Sequence, residues 1–131
     1  MENHKPTSFL RVPEHLQNIV QYAVPVVGDC LNDDAAPLRI CDGDIVAVHD
    51  VVFRDAIDLL PYINKTLHLT LEISGCEVRI VKVLKNIDGI NRSIYVQFYQ
   101  PQKTMLQIPF SEIRRLGVVD AVLSKGEWIT A

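Results

Sequence analysis

Between Leu67 and Ile73 the chain alternates strictly, with Leu67, Leu69, Leu71 and Ile73 set against His68, Thr70 and Glu72. A period of two marks a half-buried strand. The Ser74-Gly75 turn that follows folds it into a hairpin with a second strand from Glu77 to Leu84. Ser93 to Tyr99 alternates in the same way until Pro101 ends it, and Met105 to Phe110 reads as a further short strand. Elsewhere the apolar residues run together. Tyr22 to Val27 is broken only by Pro25, which confines it to an edge or to the start of a strand. Asp44 to His49 follows the Asp42-Gly43 turn and carries Ile45 and Ala47 on one face, Val46 and Val48 on the other, as a central strand does. Leu116 to Leu123 is a last apolar strand.

Helical periods are scarce. Val12 to Val20 fits either a short helix, with Leu16, Ile19 and Val20 on one face, or an irregular arm. Phe53 to Leu60 allows two turns, with Phe53, Ile57 and Leu60 on one side before Pro61 stops it. Ser111 to Arg115 allows one turn, with Ser111 as its N-cap. The pattern predicts a mostly β, single compact domain of six or seven short antiparallel strands with little helix. It divides into an N-terminal arm (1–22), the domain (23–124) and a C-terminal tail (125–131).

Composition narrows the function classes. The 131 residues are 48% hydrophobic and 22% charged, enough for a real core. A net charge of -3 without a Lys/Arg block argues against direct nucleic-acid binding. No apolar run approaches the roughly 18 residues of a membrane span, and the polar start Met1 to Pro6 lacks a secretory apolar segment, so a cytoplasmic protein is expected. The cysteines are Cys30, Cys41 and Cys76: an odd number, with no C-x-x-C pair. Neither a disulfide framework nor a metal or other cofactor is expected, and Cys41 and Cys76 read as small thiols, buried or half-buried.

Two residues stand out against that background. Cys30 follows Val26-Val27-Gly28-Asp29 on a turn, where a substrate could reach it. Lys82 shares a strand face with Val78, Ile80 and Leu84, while Arg79 and Lys85 lie opposite. Apolar surroundings desolvate an amine and favour its neutral form. A structural cysteine and a lysine snorkelling to water fit the same patterns. His49 is a weaker candidate as a partner for a cysteine. Asp29 could orient Lys82 or accept backbone bonds in its own turn, the commoner use of a Gly-Asp turn. Trp128 could pack on the body or anchor a partner.

Val27-Gly28-Asp29-Cys30-Leu31, then Asp42-Gly43-Asp44, Val81-Lys82-Val83-Leu84, Tyr99-Gln100-Pro101 and the stretch from Ile113 to Val122 together resemble the peptidase domain of LexA, UmuD and phage repressors, whose superfamily includes signal peptidases. The resemblance runs from about Ala23 to Leu123. It implies Cys30 at the position of the serine nucleophile and Lys82 at that of the general base. It also implies a mostly β fold, homodimerisation, and cleavage of a peptide segment in cis or in trans, commonly autoproteolysis in phage-repressor or stress-response regulation.

The chain departs from that family in four ways. The nucleophile is cysteine rather than serine, and Leu31 replaces a methionine of similar volume. No helix-turn-helix segment precedes the motif within this sequence. The usual cleavage dipeptides, Ala-Gly and Cys-Gly, do not occur. A free thiol, with a reference pKa of about 8.5, is a stronger acid than an ammonium at about 10.4, so in a solvated pair the proton rests on the amine and the sulfur is a thiolate. Burial opposes that ion pair. Two functions stay open: a Cys/Lys peptidase, or a catalytically inactive dimerisation or interaction module.

Overall fold

The computed structural model describes residues 12–131. Eight strands form one antiparallel sheet: β1 (Tyr22–Pro25), β2 (Ile45–Asp50), β3 (Thr66–Ile73), β4 (Cys76–Asp88), β5 (Ser93–Phe98), β6 (Thr104–Pro109), β7 (Ile113–Ser124) and β8 (Glu127–Thr130). Their order is β1-β2-β7-β3-β4-β5-β6, with β8 added to β7. The mostly β reading therefore holds. Pro25 closes an edge strand, and β2 sits inside the sheet with Val46, Ala47 and Val48 all buried.

Two large apolar clusters, with a small third one of Leu16, Ala47 and Ala121, cover the sheet. The first gathers Val26, Leu31, Leu38, Ile40, Val46, Val48, Val81, Val83 and Tyr99; the second gathers Leu67, Leu69, Leu71, Leu84, Ile94, Val96, Phe110 and Leu116. Directly opposed residues of an antiparallel pair share a face. Thr66 opposes Val83 and His68 opposes Val81, so both lie on the side of the first cluster. That explains a departure from expectation. β3 was predicted half-buried, yet Thr66, His68 and Thr70 are buried too, because β3 lies between β4 and β7 with both faces covered.

Other differences follow from local geometry. The three expected helices are short 3₁₀ segments: Glu14–Leu16, Ala56–Tyr62 and Phe110–Glu112. In Ala56–Tyr62 Pro61 lies inside the segment, and the tighter period buries Leu59 while Ile57 and Leu60 stay exposed. Ser111 caps nothing: Ile113, Arg114 and Arg115 already belong to β7, where pairing with β3 outweighs a helix too short to nucleate. The predicted tail folds back as β8, pairing Glu127–Thr130 with β7, and Trp128 packs towards Leu16, Ala47 and Ala121. β4 runs on to Asp88, past the expected end at Leu84. At the β3–β4 hairpin Ser74 and Gly75 both have positive φ (52° and 81°), the type I′ geometry that matches the twist of the flanking strands. Gly117 in β7 has no room for a side chain, since a Cβ would strike Val48 and the Tyr22 hydroxyl.

Candidate active site

The turn that carries Cys30 is built by two loops that clasp each other. Beyond Pro25 the chain keeps pairing with the start of β2: the Val26 N–H donates to Asp44 O, and the Gly43 N–H donates to Val26 O, both at 2.8 Å. Gly28 then reverses direction at φ +96°, a conformation natural to glycine. Its N–H donates to the Asp42 carboxylate at 2.7 Å, and the Asp42 N–H donates to the Asp29 carboxylate at 2.8 Å. The Asp44 carboxylate accepts the Cys41 N–H. Asp29 thus accepts backbone bonds within the clasp. Leu31 and Ile40, both 1% exposed, bridge as an isolated pair, so the loop between them leaves and returns at one fixed point.

Cys30 is held from the other side by β5. Its carbonyl accepts the N–H groups of Tyr99 (2.7 Å) and Gln100 (3.1 Å), just past the end of that strand. β5 pairs with β4 only from Val83 onward. Leu84 directs its N–H and C=O towards Lys65 and Asn64 on the β3 side, so Val81, of opposite parity, turns its carbonyl to the other edge. Cys30 occupies that edge. Its thiol donates to Val81 O at 3.4 Å. The Lys82 Nζ donates to Cys30 Sγ at 3.2 Å and to Val81 O at 3.4 Å, and lies 5.4 Å from the centre of the Phe98 ring. Two residues 52 positions apart are thereby in contact.

The pair opens on a cleft of about 190 Å³, walled by Pro25, Val26, Val27, His68 and residues 79–81 of β4. Cys30 and Lys82 are both half-buried. Among the described residues Lys82 makes no salt bridge with a carboxylate. Chemically the arrangement offers a thiol and an amine within hydrogen-bonding distance of each other, with no carboxylate paired to the amine among the described residues.

The remaining sequence candidates lie elsewhere. His49 pairs with Asp120 at 2.7 Å. Cys41 is half-buried, while Cys76 is exposed at the base of the β3–β4 turn rather than buried or half-buried. Among the described residues no three His, Cys, Asp or Glu side chains gather as a metal would require, and no helix is long and apolar enough to cross a membrane.

His68 was not singled out from the sequence, where it is one polar position of an alternating strand. In the fold it walls the cleft, its Nδ1 lies 3.2 Å from the Tyr22 hydroxyl, and the two rings meet edge to face. Burial, with Arg79 and Arg115 nearby, holds its pKa below the usual imidazole value. Burial and the neighbouring Asp50 push the Tyr22 hydroxyl up.

A larger groove, about 380 Å³, lies between Asp50–Arg54, Arg92 and the Phe110–Leu116 stretch. Its charges are mostly paired: both Asp50 oxygens accept from Arg115 at 2.9 Å, and Arg114 donates to Glu72 at 2.8 Å. No family model, curated protein or solved structure matches this chain, so any kinship is argued from its own residues and their geometry.

Proposed function

We propose that this domain is a peptidase of the LexA and UmuD type in which a Cys30/Lys82 dyad replaces serine and lysine. The observation that carries the reading is the 3.2 Å contact between Nζ and Sγ, at the two positions the motif resemblance assigns to nucleophile and base. Sulfur attacks the scissile carbonyl, Lys82 delivers the proton to the departing amine, and water hydrolyses the thioester. Among the described residues β4 pairs with β3 alone between Cys76 and Lys82, so an extended peptide can add along the opposite edge, with its carbonyl brought to Sγ. The substrate is a peptide segment of this chain or of another, and the working form is a cytoplasmic homodimer, in a compartment where thiols stay reduced.

The test is the pH dependence of Cys30 alkylation in the wild type and in Lys82→Ala. An activated pair labels fast near pH 7 and slows in the variant; equal, slow labelling in both overturns the dyad. Intact mass after alkaline incubation shows whether the chain cuts itself.

A second reading, an inactive dimerisation or interaction module, draws on one observation. The glycines follow Val27, Asp42, Ser74, Asp88, Leu116 and Lys125, so these 131 residues contain neither Ala-Gly nor Cys-Gly. Labelling that is fast, with no cleavage of this chain or of added peptides carrying those dipeptides, favours the module.

A further inference from the structure

We propose that Cys30 and Lys82 form a reversible sulfur–nitrogen cross-link when the protein meets hydrogen peroxide, a covalent switch that closes the cleft. A serine in the same place could not do this. The inference rests on the proximity of the two side chains and not on peptidase activity; a domain that never cuts a peptide forms the same bond.

The geometry supplies each requirement. The cleft of about 190 Å³ admits a peroxide, which is comparable to two waters at roughly 30 Å³ each. The Cys30 backbone is pinned through its carbonyl by Tyr99 and Gln100, and its sulfur lies in the cleft against Val81 O and the Lys82 amine. The groups that hydrogen-bond Sγ are the Val81 carbonyl, which cannot attack an oxidised sulfur, and the Lys82 amine, which can.

In the first step the Cys30 thiolate attacks one peroxide oxygen and the O–O bond breaks. Sulfur loses two electrons and becomes a sulfenic acid, and the peroxide is reduced to water. In the second step the Lys82 lone pair attacks Sγ, the S–O bond breaks, and the departing hydroxide takes a proton from nitrogen and leaves as water. Thiol, amine and peroxide give a sulfenamide and two waters. Reduction reverses it. An external thiol attacks Sγ and breaks the S–N bond, Lys82 leaves with a proton, and a second thiol frees Cys30 from the mixed disulfide.

The experiment treats a Cys41→Ser/Cys76→Ser chain with hydrogen peroxide and reads the intact mass without reductant, followed by peptide mapping. The expected product is lighter by the mass of two hydrogens, joins the Cys30 and Lys82 peptides, and returns to the starting mass with dithiothreitol. Lys82→Met and Lys82→Arg, checked for folding by circular dichroism, are expected to gain an oxygen instead. Both should carry that oxygen on the Cys30 peptide, with no link to residue 82. A parent chain that gains an oxygen as the variants do, that stops at sulfinic acid, or that links the two peptides through an extra oxygen overturns the proposal.

Discussion

Two of the concavities of this domain differ in what their charged groups are tied to. The groove of about 380 Å³ beside Asp50 is roughly twice the volume of the Cys30 cleft and is lined by four arginines. Yet Arg115 is clamped by Asp50 and Arg114 by Glu72, each at 2.9 Å or less, so much of the positive charge is neutralised in place. Such half-exposed pairs steady a surface modestly and leave little reactivity behind. In the smaller cleft the one amine has a thiol and a carbonyl as partners and, among the described residues, no carboxylate. A cation with a carboxylate partner is a fastener. A cation beside a titratable nucleophile can exchange a proton with it, and that difference outweighs volume.

The largest expected effect tests this contrast directly. Lys82→Met should slow alkylation of Cys30 at pH 7 by about tenfold or more, because the sulfur loses the amine that is hydrogen-bonded to it. Arg114→Met, on the other side of the comparison, should leave the rate within about twofold, since that charge acts on Glu72. Equal slowing in both would mean that the general field of the protein, not the local pair, sets the reactivity of the thiol.

Gly117 joins the two regions. It stands opposite Asp50 of β2 on one side and opposite His68 of β3 on the other. Gly117→Ala should cost about 1–3 kcal/mol in urea denaturation, because the new methyl meets Val48 and the Tyr22 hydroxyl. It should disturb both concavities together. Asp50→Asn should loosen the large groove and reach the Cys30 cleft only through the charge felt by His68. With the Arg115 side chain 50% exposed, the loss should stay at about 0.5–1 kcal/mol, with Cys30 labelling unchanged.

How much of this was legible beforehand depended on the range of the interactions. The β3–β4 hairpin, the edge placement of β1 and the interior placement of β2 were readable from Ser74-Gly75, Pro25 and the apolar run Ile45 to Val48, because a turn or a proline acts within a few residues. The Gly28–Cys30 stretch was legible as a turn, and Lys82 stood out only through the spacing of its neighbours. What could not be read was burial decided by distant strands. His68 and Thr70 look solvent-facing in a lone alternating segment, and nothing local says that Val81 and Val83 will share their face beneath the first cluster. The tail was missed for the same reason: Glu127–Thr130 is a strand because β7 offers it an edge.

His68 gives the smallest expected effect and the finest test, because it stands between the two regions. Arg115 of the large groove lies 4.3 Å from the centre of the Tyr22 ring, and the Tyr22 hydroxyl meets His68 in the wall of the Cys30 cleft. Burial, then Arg79 and Arg115, lower the imidazole's pKa in the folded protein from 6.5. The unfolded chain therefore takes up the proton first as pH falls, and stability is lost from about pH 6.5 down to the lower folded value, below which no further loss arises from this group. His68→Gln should flatten that part of the stability profile in urea titrations at stepped pH. Asp50 opposes the shift, so Asp50→Asn should carry the loss further into acid, and Arg79→Met, which removes a cation lowering the same pKa, should shorten it. A profile that steepens in Arg79→Met would place the titrating group elsewhere and separate the two regions that His68 here connects.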